Sequence, residues 1–275
     1  MILDTFFSAS RFTLVVRKVI LENGKVYLLR LLAMYGTIAL IMCLNAFSYD
    51  YTQTNYLENR VWQGEIQIFP FCLFLWGTLG ASTLMENFKY KASRTTALML
   101  PATQFEQFFA RWLIHVPLFL LIFLFAFYLA SCTRSLLCVI FYPDSYLVGP
   151  IPLLATLVRD ESGLAFLFAN SLNLVTAFSF FLLVQSFFVL GSVVWPKNAF
   201  LKTFAALAIL FILYMIFAFG LFEQHFISRS YRTPFDDISS ETVQWVFACA
   251  LCLLAVFNWV LAYFRFKEIE IINRW

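Results

Sequence analysis

Six long apolar stretches constrain this chain more than any other feature of its sequence. They cover residues 26–47, 66–85, 112–130, 164–194, 203–222 and 243–264. At about 1.5 Å per helical residue, each can cross the roughly 30 Å hydrocarbon core of a bilayer. The sequence therefore predicts an all-α membrane protein with six transmembrane helices. No repeat or linker divides the chain, so residues 1–275 are predicted to form a single transmembrane domain.

The basic residues predict the orientation of these spans. If the N-terminus is cytosolic, only five of the 19 Lys and Arg residues fall in outer loops, and the other 14 lie on the inner side. The five are Arg60, Arg134, Arg159, Arg229 and Arg232. Because cytosolic loops carry an excess of Lys and Arg, both termini are predicted to face the cytosol.

Composition and motifs argue against catalytic and nucleic-acid-binding functions. With 62% hydrophobic and 13% charged residues, the chain has no room for a separate soluble domain. Its net charge of +3 comes from residues that flank the spans, so nucleic acid is not an expected partner. No G-x-x-x-x-G-K-[ST] motif occurs, and His115 and His225 lie on opposite predicted sides. We expect no enzyme activity, cofactor or metal in this chain.

The first 25 residues have the pattern of a helix lying in the membrane interface. Apolar residues recur at helical spacing, with Arg17 and Lys18 turned away from them, and Asn23 and Gly24 are predicted to end the helix. The apolar positions are Phe12, Val15, Val16, Val19 and Ile20. The alternative is that this segment simply extends the first span below the membrane.

The segment from Glu86 to Arg111 carries the most local information. Thr103 and Glu106 form a T-x-x-E capping box after Pro101, which predicts a helix that starts there and runs into the third span. The polar and apolar alternation before it fits a surface helix that touches a partner. It fits a solvated loop nearly as well. His115, further along, is interpreted as a hydrogen-bonded interfacial residue, and Pro117 as a kink or helix-start feature.

Two segments carry a resemblance to a known family. The stretch Met85 to Trp112, with "LMLPAT" followed by a capped helix ending in "ARW", resembles the cytosolic loop of the membrane subunit of a bacterial ABC-2-type transporter. The tail "YFRFKEIEI", from Tyr263 to Ile271, is similar to the closing segment of that branch. The resemblance implies a multi-pass permease of the bacterial inner membrane that exports an unidentified substrate.

The same resemblance implies the partners. ATP would be bound and hydrolysed by a separate cytosolic ATPase subunit, and a second permease subunit would complete a homodimer or a similar heterodimer within the lipid. By this resemblance Glu86, Arg94 and Glu106 lie in the loop that docks the ATPase. A non-transport membrane scaffold or assembly factor, recruiting a cytosolic protein through the same loop, is the alternative function.

The chain also departs from this family. Family members fold a re-entrant element between spans five and six, whereas residues 223–242 are too polar to enter lipid unshielded. The largest predicted outer loop is instead 131–163, with a re-entrant or interfacial turn conceivable at 147–158. Cys132 and Cys138 lie near this face and can pair if the compartment is oxidising. Cys249 and Cys252 are interpreted as apolar fillers.

Polar residues in the fourth predicted span are the remaining candidates. Asn170 and Asn173 are the most costly to leave unpaired in hydrocarbon. Thr176, Ser179 and Gln185 follow them, but the set does not form one stripe on the helix. Hydrogen bonds between helices are therefore the preferred interpretation, and the lining of a substrate path is the second.

Overall fold

A computed structural model describes residues 7–48, 57–88, 95, 101–141, 148–159, 165–195, 197–226 and 240–268. Six long helices, all apolar enough to cross a membrane, account for most of them. A one-turn helix, α4, lies between the third and fourth of these. The elements are α1 (Ala9–Ala46), α2 (Leu57–Ser82), α3 (Gln104–Phe141), α4 (Leu153–Thr156), α5 (Ser171–Val194), α6 (Ala199–Phe226) and α7 (Ser240–Lys267). The predicted all-α class and the six long apolar helices are confirmed for these residues.

The N-terminal segment does not form a separate helix. The prediction that Asn23 and Gly24 end an interfacial helix is wrong, because α1 passes through both residues without a break. The Asn23 amide donates to the Val19 carbonyl one turn earlier, at 3.0 Å. Glycine inside a helix costs about 1 kcal/mol relative to alanine. Packing of buried Val15 and Val19 on Ala110 of α3 offsets this cost. The N-terminal segment is therefore an extension of the first long apolar helix, which was the alternative interpretation.

The third and fourth spans have different limits from those predicted. The third helix continues to Phe141 instead of ending at residue 130, so Arg134 is a helical residue and not a loop residue. The fourth helix begins at Ser171 instead of residue 164. Residues 165–170 are irregular. The Arg159 N–H donates to the Phe168 carbonyl at 2.9 Å, and this bond joins the segment to the end of the preceding turn.

Contacts divide the chain into two compact units, the first comprising Met1–Gly80 with Leu100–Ala177 and the second Ala81–Met99 with Phe178–Trp275. In the first unit α1 and α3 run parallel, because successive contacts advance along both helices together. These contacts are Phe12 with Phe109, Tyr35 with Thr133, and Phe47 with Phe141. Helix α2 runs antiparallel to α3, since Glu65 meets the later Arg134 while Gly80 meets the earlier Phe119.

The second unit is built on the packing of α5 against α7. Leu183 of α5 and Leu251 and Ala255 of α7 form a buried cluster. At the end of α5 the chain turns tightly into α6, and Asn198 takes a φ of 56° there, a left-handed conformation that asparagine tolerates.

Candidate functional site

The N-terminal ends of α1 and α3 are joined by the carboxylate of Glu106. Its Oε2 accepts the Thr103 N–H at 3.0 Å, and the Thr103 hydroxyl accepts the Glu106 N–H at 3.2 Å, which completes the predicted capping box. Its Oε1 accepts the Ser8 N–H at 2.8 Å and lies 3.3 Å from Nη2 of Arg11. We call these four residues the helix junction. It closes the helix cap of α3 and holds the start of α1 with the same side chain.

The burial of Glu106 defines its role. The residue is 0% exposed, and both carboxylate oxygens accept hydrogen bonds within the chain. Hydrogen bonds to a charged group contribute roughly 1.5–3 kcal/mol each, and they also compensate the cost of burying the charge. A partner would therefore meet the surface of the elements that Glu106 joins, and not its carboxylate.

Aromatic rings extend the helix junction over its outer face. Phe7 and Phe12 from the start of α1 contact Phe105 and Phe109 of α3, with ring centroids 6.5 and 5.5 Å apart respectively. On α3 itself Phe105 stacks on Phe109, and Phe109 stacks on Trp112. Aromatic pairs of this kind contribute roughly 0.5–1.5 kcal/mol beyond their buried area. The two helix starts therefore form one rigid block.

Further along α3, a π-helical turn over Ile114–Leu118 accommodates Pro117. Proline lacks an N–H and clashes with the preceding turn, and a wider turn relieves both effects. The buried His115 donates from Nδ1 to the Arg111 carbonyl at 2.9 Å, and its ring packs edge-on against Tyr27 of α1. The interpretation of His115 as a hydrogen-bonded residue agrees with these contacts.

Glu86 and Arg94, the other residues of the predicted docking loop, belong to the second unit. Glu86 is exposed and opens a 3₁₀ turn, Glu86–Phe88, after α2. Phe88 of that turn is fully buried and packs edge-on against Phe266 of α7. Arg94 lies outside the described residues. The role of the loop in docking remains a prediction.

Of the two asparagines predicted in the fourth span, Asn173 lies in α5 and Asn170 lies just before it. Asn170 is exposed and precedes α5, where its carbonyl accepts the N–H groups of Asn173 and Leu174, so the prediction that it interrupts the span is wrong. Asn173 is half-buried in the first turn of α5. Asn258 of α7 makes a bond between helices, since its amide donates to the Ser186 hydroxyl of α5 at 3.0 Å.

A second polar site, which sequence reasoning missed, joins α2, α3 and the turn before α4. Arg134 and Glu65 are 1% and 2% exposed, and Nε of Arg134 donates to Oε1 of Glu65 at 2.6 Å. The other carboxylate oxygen accepts the Ser131 hydroxyl at 2.9 Å. The two terminal nitrogens of Arg134 donate to the carbonyls of Val148 and Gly149. We call this arrangement the buried clamp.

The buried clamp holds the turn at residues 148–159, which overlaps the re-entrant or interfacial turn considered at residues 147–158. Ser131 Oγ accepts the Ile151 N–H at 3.0 Å, and the Trp62 indole donates to the Gly149 carbonyl. Residues 148–159 therefore form a folded turn against α2 and α3, with Val148 and Ile151 buried.

The positions of Glu65 and Arg134 relative to the apolar runs could have indicated that they pair. Glu65 directly precedes the second apolar run, and Arg134 closely follows the third. If consecutive apolar helices run antiparallel, these two ends lie side by side, where opposite charges can meet.

Within the described ranges, no group of three or more His, Cys, Asp or Glu side chains is arranged to hold a metal ion. Cys132 and Cys138 lie six residues apart on one continuous helix and are present as thiols. Their separation of about 9 Å along the axis exceeds the Cα distance of a disulfide, so this pairing is excluded while the helix is intact.

A scan against protein-family models, a search of curated proteins and a search of solved structures each find no match.

Proposed function

We propose that this chain is the membrane-spanning permease subunit of an ATP-driven transporter of the ABC-2 type. In this proposal it couples a separate cytosolic ATPase to the export of an unidentified substrate. The observation that carries the proposal is the length and pairing of α1 and α3. Each has 38 residues, which gives about 57 Å of helix against a hydrocarbon core of roughly 30 Å. Because they run parallel and their polar starts coincide at the helix junction, the N-terminal extensions of both helices would project on the same side.

Charge supports a cytosolic position for this projecting end. The first turns of α1 carry exposed or half-buried Arg11, Arg17, Lys18 and Lys25, as the excess of basic residues at cytosolic faces requires. At the opposite end of the unit, Arg134 is neutralised by Glu65 and does not count against the orientation. Both termini are therefore proposed to lie in the cytosol.

Exposed apolar surface supports insertion into a membrane, proposed to be the bacterial inner membrane. All eight side chains of α6 from Ile209 to Ile216 are exposed, so every face of the helix presents apolar groups outward. Water disfavours a continuous apolar surface of this size. The hydrocarbon core of a membrane accommodates this apolar surface without the free-energy cost that water imposes.

The proposed mechanism passes through the paired helices. Closure of the ATPase subunits would push on the block at the helix junction. Because α1 and α3 are joined there, they would move together and alter the access of a path between paired permease subunits. As the resemblance implies, the ATPase would touch the loop that contains Glu86 and Arg94, which precedes α3 in the sequence. This chain alone is expected to hydrolyse no ATP.

The docking test uses charge reversal in that loop. The double variant Glu86→Lys, Arg94→Glu is co-purified with the ATPase encoded by a neighbouring gene, and partner stoichiometry and ATPase rate are measured. A surface contact of about 1 kcal/mol predicts roughly fivefold weaker association. The exposed Arg159 lies at the end of the first unit that is opposite the helix junction. It provides the control variant Arg159→Glu, which should bind the ATPase normally. Unchanged binding and an unchanged ATPase rate in the double variant would show that this loop is not the docking element. If the bound partner has no ATPase activity, the alternative function as a membrane scaffold is favoured.

The orientation test uses two exposed basic positions in a background without native cysteines. Lys197 lies in the tight turn between α5 and α6, and Arg60 lies in the first turn of α2. An impermeant thiol reagent applied to intact cells should label Arg60→Cys and spare Lys197→Cys. The reverse result would contradict the proposed topology.

A further inference from the structure

Two thiols from neighbouring helices face a single small cavity in the first unit. Cys43 of α1 and Cys138 of α3 both line it, together with Phe47, Arg134 and Phe141. The cavity has a volume of about 10 Å³, which is no more than the space for one water molecule. The cavity is too small for a substrate, and both cysteines are half-buried thiols.

Helical spacing directs the two thiols towards each other. Cys43 precedes Phe47 by four residues on α1, and Cys138 precedes Phe141 by three residues on α3, so each cysteine shares a helix face with its phenylalanine. The two phenylalanine rings meet edge to face, with centroids 5.9 Å apart. The cysteines therefore lie one turn earlier on the same two facing surfaces.

Another contact between helices holds the pair from the opposite direction. The hydroxyls of Tyr35 on α1 and Thr133 on α3 are 2.7 Å apart. Cys43 and Cys138 both lie between this hydrogen bond and the pair of phenylalanine rings. Because contacts on both sides keep the helices together, the thiols can react without separation of α1 from α3.

From this geometry we propose that Cys43 and Cys138 form a reversible disulfide, making them a thiol–disulfide modification site between α1 and α3. One thiolate attacks a sulfur of a disulfide-bearing oxidant and forms a mixed disulfide, releasing the first thiol of the oxidant. The second protein thiolate displaces the second thiol of the oxidant and forms the Cys43–Cys138 bond. The two protein thiols lose two electrons and two protons in total, and the oxidant is reduced to two thiols.

The crosslink would act at the end of the helix pair that is opposite the helix junction. Glu106 already joins the N-terminal ends of α1 and α3, so a disulfide near their C-terminal ends would restrain the pair at both ends. This inference depends on the packing of α1 against α3 and is independent of the proposed transport function.

The test counts reactive thiols in a variant that retains only Cys43 and Cys138, with the other four cysteines replaced by alanine. The folded protein is treated with oxidised glutathione, denatured, and reacted with a maleimide-linked polyethylene glycol. We expect the number of adducts to fall from two to none after oxidation and to return to two after dithiothreitol. The product should migrate as a monomer, because both thiols belong to one chain.

In a matched variant that retains only Cys43 and Cys132, oxidation should stop at mixed disulfides with glutathione and give no linked peptide, since Cys132 lies on another face of α3. Peptide mass spectrometry of the oxidised wild-type protein provides a readout that needs no substitution, and it should detect a linked Cys43–Cys138 peptide. Two remaining adducts in the Cys43 and Cys138 variant, together with no linked wild-type peptide, would overturn the proposal. A linked Cys43–Cys132 peptide, or a crosslinked dimer, would overturn it as well.

Discussion

Replacing Arg134 with methionine should destabilise the protein far more than the same replacement at an exposed arginine. The substitution removes the donor to Glu65 at 2.6 Å and the donors to the carbonyls of Val148 and Gly149, at 3.3 and 2.8 Å. The Glu65 carboxylate would then remain buried with only the Ser131 hydroxyl as a partner. Removing one member of a buried ion pair costs about 3–5 kcal/mol, chiefly because the remaining charge is uncompensated. We expect a loss in this range.

The double variant Glu65→Met, Arg134→Met separates this cause from a simple loss of packing. Because it removes both charges, it should cost much less than the sum of the two single substitutions, with a coupling energy of about 3 kcal/mol. Arg159→Met is the control in the same unit. Arg159 is exposed and lies over the Phe166 ring, so its replacement should cost no more than about 1 kcal/mol.

The assay is equilibrium unfolding in mixed detergent micelles with increasing dodecyl sulfate, followed by tryptophan fluorescence. Five proteins are compared under the same conditions to obtain free energies of unfolding: the wild type, Arg134→Met, Glu65→Met, the double variant and Arg159→Met. A cost below about 1 kcal/mol for Arg134→Met, or additive costs in the double variant, would refute the reasoning that Glu65 and Arg134 form a desolvated pair.

Four further substitutions test other contacts in the same unfolding assay. Glu106→Ala should cost about 2 kcal/mol and speed amide exchange in the first turn of α1, because it removes the carboxylate that holds the Ser8 N–H; unchanged exchange would refute the helix junction. Asn258→Leu should cost roughly 0.6–2 kcal/mol by removing the bond to Ser186, and a more stable variant would contradict that bond. Gly191→Ala should cost about 1–3 kcal/mol because its methyl would overlap buried Thr203, whereas Gly36→Ala, with open space around it, should stabilise α1 by about 1 kcal/mol. Equal effects at the two glycines would refute this difference in packing.

The sequence by itself determined the elements whose causes are local. A long apolar run must become a helix if it crosses hydrocarbon, because only a helix satisfies its backbone polar groups within the segment. The six apolar helices follow from this requirement. The start of α3 was also predictable, since a capping box needs only residues three apart, and Thr103 and Glu106 supply both of its hydrogen bonds.

Tertiary structure decided where helices end and which polar groups meet. Local signals predicted a stop at Asn23 and Gly24, but packing of α1 on α3 carries the helix through them. Arg134 was assigned to a loop because a charge ordinarily ends an apolar run, whereas Glu65, 69 residues away, allows it to stay buried in a helix. Glu106 likewise accepts a bond from Ser8 across 98 residues. Such pairings depend on which helices become neighbours, and the free energy that selects neighbours is distributed over the whole packed unit and not over a local pattern.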